Sequence, residues 1–152
     1  LLENKEMSGT VRSFDDLEER LGKEAFRELF PVVLTDNGTE FADPDLFETS
    51  QDGSQRMKLY YCDPRHSEQK GEIEKNHEYI RYVLPSGTSF DELTQEKVDL
   101  MMNHINNTAR PSLKGKTPAQ LALQHFGKDT ADKLGISVIK ADDICLKPEL
   151  LK

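Results

Sequence analysis

Apolar positions change period several times along this chain, and each change marks an element. Phe14, Leu17, Leu21, Ala25 and Leu29 recur every three or four residues among charged neighbours, the spacing of one face of an amphipathic helix. Ser13 can cap that helix, with Asp16 three residues on in the capping-box position, and Pro31 ends it. Val32-Val33-Leu34 is short and continuously apolar, the pattern of a buried strand in a parallel sheet. Asn37-Gly38 turns the chain directly after it. Asp43-Pro44 starts a short helix, with Asp43 as cap and Pro44 at the first helical position. Thr49 to Gln55 reads as a polar loop, and a second strand is predicted from Met57 to Cys62.

The second half is mostly helical. A polar loop from Asp63 to Gly71 leads into a helix from about Glu72 to Val83, closed by Leu84-Pro85-Ser86-Gly87. Thr94 can cap a further helix whose apolar set is Val98, Met101, Met102 and Ile105. A basic-leaning loop from Asn106 to Lys116 holds Arg110, Lys114 and Lys116. Thr117-Pro118-Ala119-Gln120 supplies a cap, a first-position Pro and a third-position Gln, so it starts another helix, which ends near Gly127. Beyond Gly135 the pattern weakens, with some strand potential at Val138-Ile139. The order of elements predicts an α/β chain with a helical C-terminal part. Met101 and Met102 fit a core, and Tyr60 and Tyr61 fit a sheet.

Composition narrows the class. The 152 residues are 36% hydrophobic and 32% charged, a globular balance. No run of about 18 apolar residues is present, so no membrane span is expected. Leu1-Leu2-Glu3-Asn4-Lys5 shows no signal-peptide pattern and no initiator Met, which suggests a piece of something longer. The two cysteines, Cys62 and Cys145, are far apart and belong to no Cys/His cluster, which argues against a disulfide scaffold or a zinc site. Net charge is −8, unfavourable for a polyanion partner, but it is unevenly spread. Residues 1–55 carry −9, residues 56–128 carry +2 and residues 129–152 carry −1. Local field rather than net charge steers DNA, so the total does not exclude it. It implies weak binding by this chain alone.

Two places carry candidate chemistry. Asp36 closes an apolar strand beside Asn37-Gly38, where α/β folds hold ligands and where a carboxylate can hold a hard cation. Asp-Asn-Gly is equally a common turn sequence. On the next helix, Glu74, His77, Glu78 and Arg81 fall at i, i+3, i+4 and i+7 and share a polar face. Such a stripe is either a solvated face or a working one.

Together these segments resemble a known family. Thr35-Asp36-Asn37-Gly38-Thr39-Glu40-Phe41, Tyr61-Cys62-Asp63-Pro64 and Gln69-Lys70-Gly71 come in order, with Glu74 three beyond Gly71 and Arg81 seven beyond Glu74. Leu84-Pro85-Ser86-Gly87-Thr88, Asn106-Asn107-Thr108-Ala109-Arg110-Pro111 and Lys116-Thr117-Pro118-Ala119 follow. This order resembles the catalytic region of DDE transposases of the insertion-sequence-thirty family, relatives of retroviral integrases with a ribonuclease H-like fold. The likeness runs from about Phe14 to Phe126.

The resemblance implies metal-dependent DNA strand cleavage and strand transfer, with two Mg²⁺ (or Mn²⁺) ions in the intact enzyme held by three carboxylates. On this chain Asp36 would be the second carboxylate and Glu74 the third. Glu72 and Glu78 compete for that place, and the fixed offsets to Gly71 and Arg81 favour Glu74. Arg81 and His77 on the same face, Lys70 and His66 in the loop before it, and Arg110, Lys114 and Lys116 further on are candidate DNA contacts. Each is also readable as ordinary surface.

The resemblance further implies DNA as partner (transposon ends and target), self-association, and a bacterial cytosolic, nucleoid-associated setting. Two departures stand out. No Asp on an apolar strand precedes Phe14, so the first strands and the first carboxylate of the family pattern are missing from residues 1–13. His77 stands where related integrases often have Asn. The expected organisation is a partial integrase core over residues 1–127 and a tail over 128–152, inactive as it stands. The rival expectation is an inactive remnant that binds DNA weakly or associates with full-length transposase.

Overall fold

The computed structural model describes residues 6–63 and 71–152, with side chains described from residue 75 onward in the second stretch. The chain divides into two compact units, Leu2–Gln69 and Lys70–Lys152. The division expected at residue 127 is not found. Leu146, Leu150 and Leu151 pack on the same core as Val83, Met101 and Ile105, so the tail belongs to the second unit.

The N-terminal unit runs α1 (Met7–Leu21), α2 (Lys23–Leu29), β1 (Val32–Thr35), a 3-10 turn (Thr39–Phe41), α3 (Pro44–Glu48) and β2 (Lys58–Tyr61). The single helix expected from Ser13 differs in two ways. It begins at Met7, and the Ser13 hydroxyl donates back to the Gly9 carbonyl (3.1 Å) instead of capping. Thr10 does the same to Glu6 (3.3 Å), a local bond that lets hydroxyl residues sit inside a helix. The helix is also broken at Gly22, whose φ of 85° a side chain would strain. The apolar period continues through the break, which is why pattern alone reads one helix.

β1 and β2 are parallel, with Val32 opposite Lys58 and Thr35 opposite Tyr61. Strand alternation puts Val33, Thr35 and Leu59 on one face, where Thr35 and Leu59 are buried. Val32, Leu34 and Tyr60 fall on the other, and they are 56%, 42% and 55% exposed. The fully buried strand expected at Val32–Leu34 is therefore half-buried: only one face of the pair is covered. Asp43 caps α3 as expected, accepting from the Asp45 N–H (3.2 Å). The unit's core gathers Phe26, Phe47, Met57 and Leu59, with Phe14 edge-on to Phe47 at 5.6 Å between ring centroids.

Glu48 ties the end of α3 to β2. One carboxylate oxygen accepts from the Leu59 N–H and the other from Lys58, both at 2.9 Å. The Leu59 bond, then Lys58, hold its carboxyl below the ordinary value of 4.5. A carboxyl whose pKa is depressed on folding stabilises the fold above its unfolded pKa, and that contribution is lost as pH falls through the folded pKa. Glu48→Gln is expected to lower the melting temperature at pH 7. The gap to wild type should shrink on acidification below 4.5. An unchanged gap at pH 3 would refute the carboxylate's role.

The C-terminal unit runs α4 (Gly71–Val83), α5 (Gln95–Asn106), a 3-10 turn (Pro111–Leu113), α6 (Pro118–Lys133) and two further 3-10 turns, Ala141–Asp143 and Pro148–Leu151. Thr94 caps α5, and Thr117 with Gln120 forms a reciprocal capping box at α6, both as the sequence predicts. At Gly127 the backbone leaves helical geometry (φ 78°), and a second helical stretch follows it.

The strand potential at Val138-Ile139 is not realised. Two asparagines one turn apart, Asn103 on α5 and Asn107 at its C-terminal cap, satisfy the backbone of that segment instead. Asn103 donates to the Gly135 carbonyl (2.9 Å) and accepts from the Ser137 N–H (2.9 Å). Asn107 donates to the Ser137 carbonyl (2.7 Å) and accepts from the Ile139 N–H (3.0 Å). A side-chain amide presents the donor and acceptor of a neighbouring strand, so no strand partner is needed. Asn107→Ala is expected to cost about 1–3 kcal/mol, the range for orphaned buried partners. It should also remove amide-exchange protection at Ile139 while leaving α4 protected; retained protection at Ile139 would refute the strap.

Candidate active site

Asp36 follows β1 directly, at the carboxyl end of the strand. Its side chain is exposed, and one carboxylate oxygen accepts from the Gly38 N–H (3.2 Å). Asn37 reaches across to the Cys62 carbonyl (3.5 Å), just past β2. The turn is thus built by Asp36 itself, and the carboxylate stays at the surface. The donor chemistry, an exposed carboxylate oxygen, suits a hard cation such as Mg²⁺. Among the described residues no group of three or more His, Cys, Asp or Glu side chains could hold a metal by itself.

Glu74 lies in the first turn of α4. His77 and Arg81 follow on the same helix and are exposed. Arg81 sits about 10.5 Å further along the axis than Glu74. Glu78, a competing acid, is engaged elsewhere: Lys75 donates to one oxygen (2.5 Å) and the Tyr82 hydroxyl to the other (2.9 Å). Those two bonds, Lys75 first, lower its pKa. Among the described residues Arg81 makes no ion pair, and Glu78 pairs with Lys75. The side chains of Glu72 and Glu74, and His66 and Lys70 altogether, lie outside the described residues.

The expected basic patch of Arg110, Lys114 and Lys116 is divided. Lys114 and Lys116 are exposed on the turn after Pro111, and Lys116 donates to Gln124 (3.1 Å). Arg110 is buried, 7% exposed. Its guanidinium lies 4.0 Å from the Tyr79 ring centroid and donates to Asn76 (3.0 Å) and to the Ile105 carbonyl (3.5 Å). Guanidinium stacks well on an aromatic face because it is planar and weakly hydrated. Arg110 therefore braces α4 against α5 instead of presenting a phosphate contact. A lone Arg between two apolar-poor segments carries no sequence mark of burial, since its partners, Asn76 and Tyr79, are 34 and 31 positions away.

The chain is homologous to transposases of insertion-sequence elements. It is 34% identical over 92 residues to the transposase for insertion sequence element IS4351 of Bacteroides fragilis, covering 60% of this chain and 27% of that protein. It is 34% identical over 94 residues to transposase InsI for insertion sequence element IS30A of Escherichia coli K12, covering 62% and 24%. It is 30% identical over 80 residues to the transposase for insertion sequence element IS1086 of Cupriavidus metallidurans, covering 53% and 23%. The chain spans about a quarter of the length of these relatives. No family model matches the chain, and no solved structure matches it significantly. Among the described residues no helix is long and apolar enough to cross a membrane.

Proposed function

From this kinship with insertion-sequence transposases we propose that the chain is part of a transposase catalytic region with a ribonuclease H-like, integrase-type core. Its reaction is DNA strand cleavage and strand transfer. The observation that carries the reading is homology to several transposases over about 60% of the chain. The exposed Asp36 at the end of a parallel strand, and an α4 face bearing Glu74, His77 and Arg81, are consistent with it. Asp36 and Glu74 are the carboxylates this chain would offer to Mg²⁺ or Mn²⁺. When bound, such ions supply Lewis-acid activation of the attacking oxygen and stabilisation of the leaving one.

The chain's own residues do the rest. Arg81 offers a planar fork of donors matched to phosphate oxygens and positions the DNA backbone. His77, Lys114 and Lys116 add positive or donor groups at exposed positions, and self-association on paired DNA ends belongs to the same reading. Arg81→Ala is expected to weaken DNA binding and to reduce the slope of log K against log salt by about one unit. Equal affinity at two salt concentrations would make Arg81 a plain surface residue. The decisive experiment is Mg²⁺-dependent cleavage of transposon-end DNA by the whole protein, with DNA binding measured in parallel. Cleavage supports the enzyme. Binding without cleavage supports the remnant, and neither overturns the reading.

A further inference from the structure

Beside Arg81 the C-terminal unit carries a groove of about 430 Å³ whose lining has a mixed character. One wall is α4, with His77 and Arg81. The other is the segment after α4, ending at Phe90. Among the described residues no Asp or Glu lines the groove, although the chain as a whole carries −8. Phe90 is 63% exposed, the most exposed of the chain's large hydrophobic residues among those described. The segment that presents it is held in place. Thr88 donates from its N–H (3.1 Å) and its hydroxyl (2.7 Å) to the Pro85 carbonyl, across a turn that needs the positive φ of Gly87 (87°). Ser89 and Asp91 bond to each other (2.7 Å), and the Leu93 N–H donates to the Phe90 carbonyl (3.0 Å).

We propose that this groove binds an unpaired nucleotide, with the base stacked on Phe90 and the phosphate held by Arg81 and His77. An exposed aromatic ring beside a guanidinium is the arrangement by which proteins hold single-stranded DNA. An apolar peptide would gain nothing from the Arg81 guanidinium and the His77 imidazole. The inference deepens the transposase reading and rests on it: strand cleavage and transfer produce free strand ends, and this groove is lined by His77 and Arg81 of α4.

The test compares two DNA ligands of equal length, a blunt duplex and one with a short single-stranded overhang, the latter carrying 2-aminopurine to report stacking. The protein is the whole chain, wild type, Phe90→Ala and Phe90→Trp. Phe90 is largely exposed, so the alanine variant should keep its fold, checked by circular dichroism. Wild type is expected to bind the overhang tighter and to quench 2-aminopurine. Phe90→Ala should lose about tenfold in overhang affinity and lose the quenching, with duplex affinity unchanged. Phe90→Trp should restore both. If Phe90→Ala binds both ligands like wild type, the stacking site is refuted and DNA binding stands. If wild type binds neither ligand, the DNA reading falls with it. Binding of an apolar peptide in place of either DNA, abolished by Phe90→Ala, would assign the groove to protein and overturn the inference.

Discussion

Glu74→Gln and Asp36→Asn are each expected to lower strand cleavage by the whole protein by roughly two to three orders of magnitude, the range seen when one preorganised charge-stabilising group is removed. DNA affinity should stay near wild type, because both changes remove charge and little shape. The Asp36 substitution is informative for a local reason. Asp36 accepts the Gly38 N–H through one carboxylate oxygen, and an Asn side chain can accept the same bond. The turn therefore survives while the hard anionic ligand is lost. If Asp36→Asn cleaves like wild type and Asp36→Ala is unstable, Asp36 is a turn-former only. The same logic holds for Glu74, where Gln preserves length and helix propensity. Glu78→Gln is the control: its carboxylate is already engaged by Lys75 and Tyr82, so cleavage should be unaffected.

Elements set by local chemistry could be read from the sequence, and those set by distant contacts could not. The Asp43 cap, the Thr94 cap and the Thr117–Gln120 box are each decided within four residues, and all three occur as expected. The apolar run at Val32–Leu34 read as a strand of a parallel sheet, and β1 does run parallel to β2. Ser13 misled because a hydroxyl before an apolar period fits a cap, while its bond to Gly9 fits a helix interior equally well. Val32 and Leu34 misled because an apolar run records what a strand can bury, not what covers it. The tail misled because its partners are side chains at the end of α5, 30 or more positions away, which no periodicity records. Candidate chemistry followed the same rule. The order of Asp36, Glu74 and Arg81 is a sequence property, whereas the burial of Arg110 against Tyr79 is a tertiary one. Phe90 drew no notice because a single aromatic in a polar segment has no pattern; only its exposure beside Arg81 gives it a role.

Arg56→Met is expected to destabilise the N-terminal unit by about 3–5 kcal/mol, the cost of breaking a buried ionic network from one side. Arg56 is 1% exposed. Its guanidinium donates to Asp15 (2.5 Å) and Glu18 (3.5 Å) on α1, and to the carbonyls of Phe47 (3.0 Å) and Leu46 (3.2 Å) on α3. Glu18 is itself 6% exposed and takes the Ser50 hydroxyl at 2.6 Å. One side chain thus neutralises two carboxylates and satisfies two carbonyls of α3. The cation also lies 5.8 Å from the Phe26 ring centroid. Methionine fills much of the volume but leaves Glu18 buried and unpaired, and orphans both carbonyls. Lysine keeps the charge but cannot fork between α1 and α3, so Arg56→Lys should recover only part of the loss. Two further observations separate this from a surface ion pair. The cost should be nearly the same at 0.1 and 1 M salt on the order of the Debye argument, because the pair is shielded from solvent. Adding Glu18→Met to Arg56→Met should recover stability, since it removes the stranded charge. Urea denaturation of the four chains at both salt concentrations decides it. A loss below about 1 kcal/mol for Arg56→Met, the level of an exposed pair, would mean that the aromatic core around Phe26 and Phe47 holds this unit without the network.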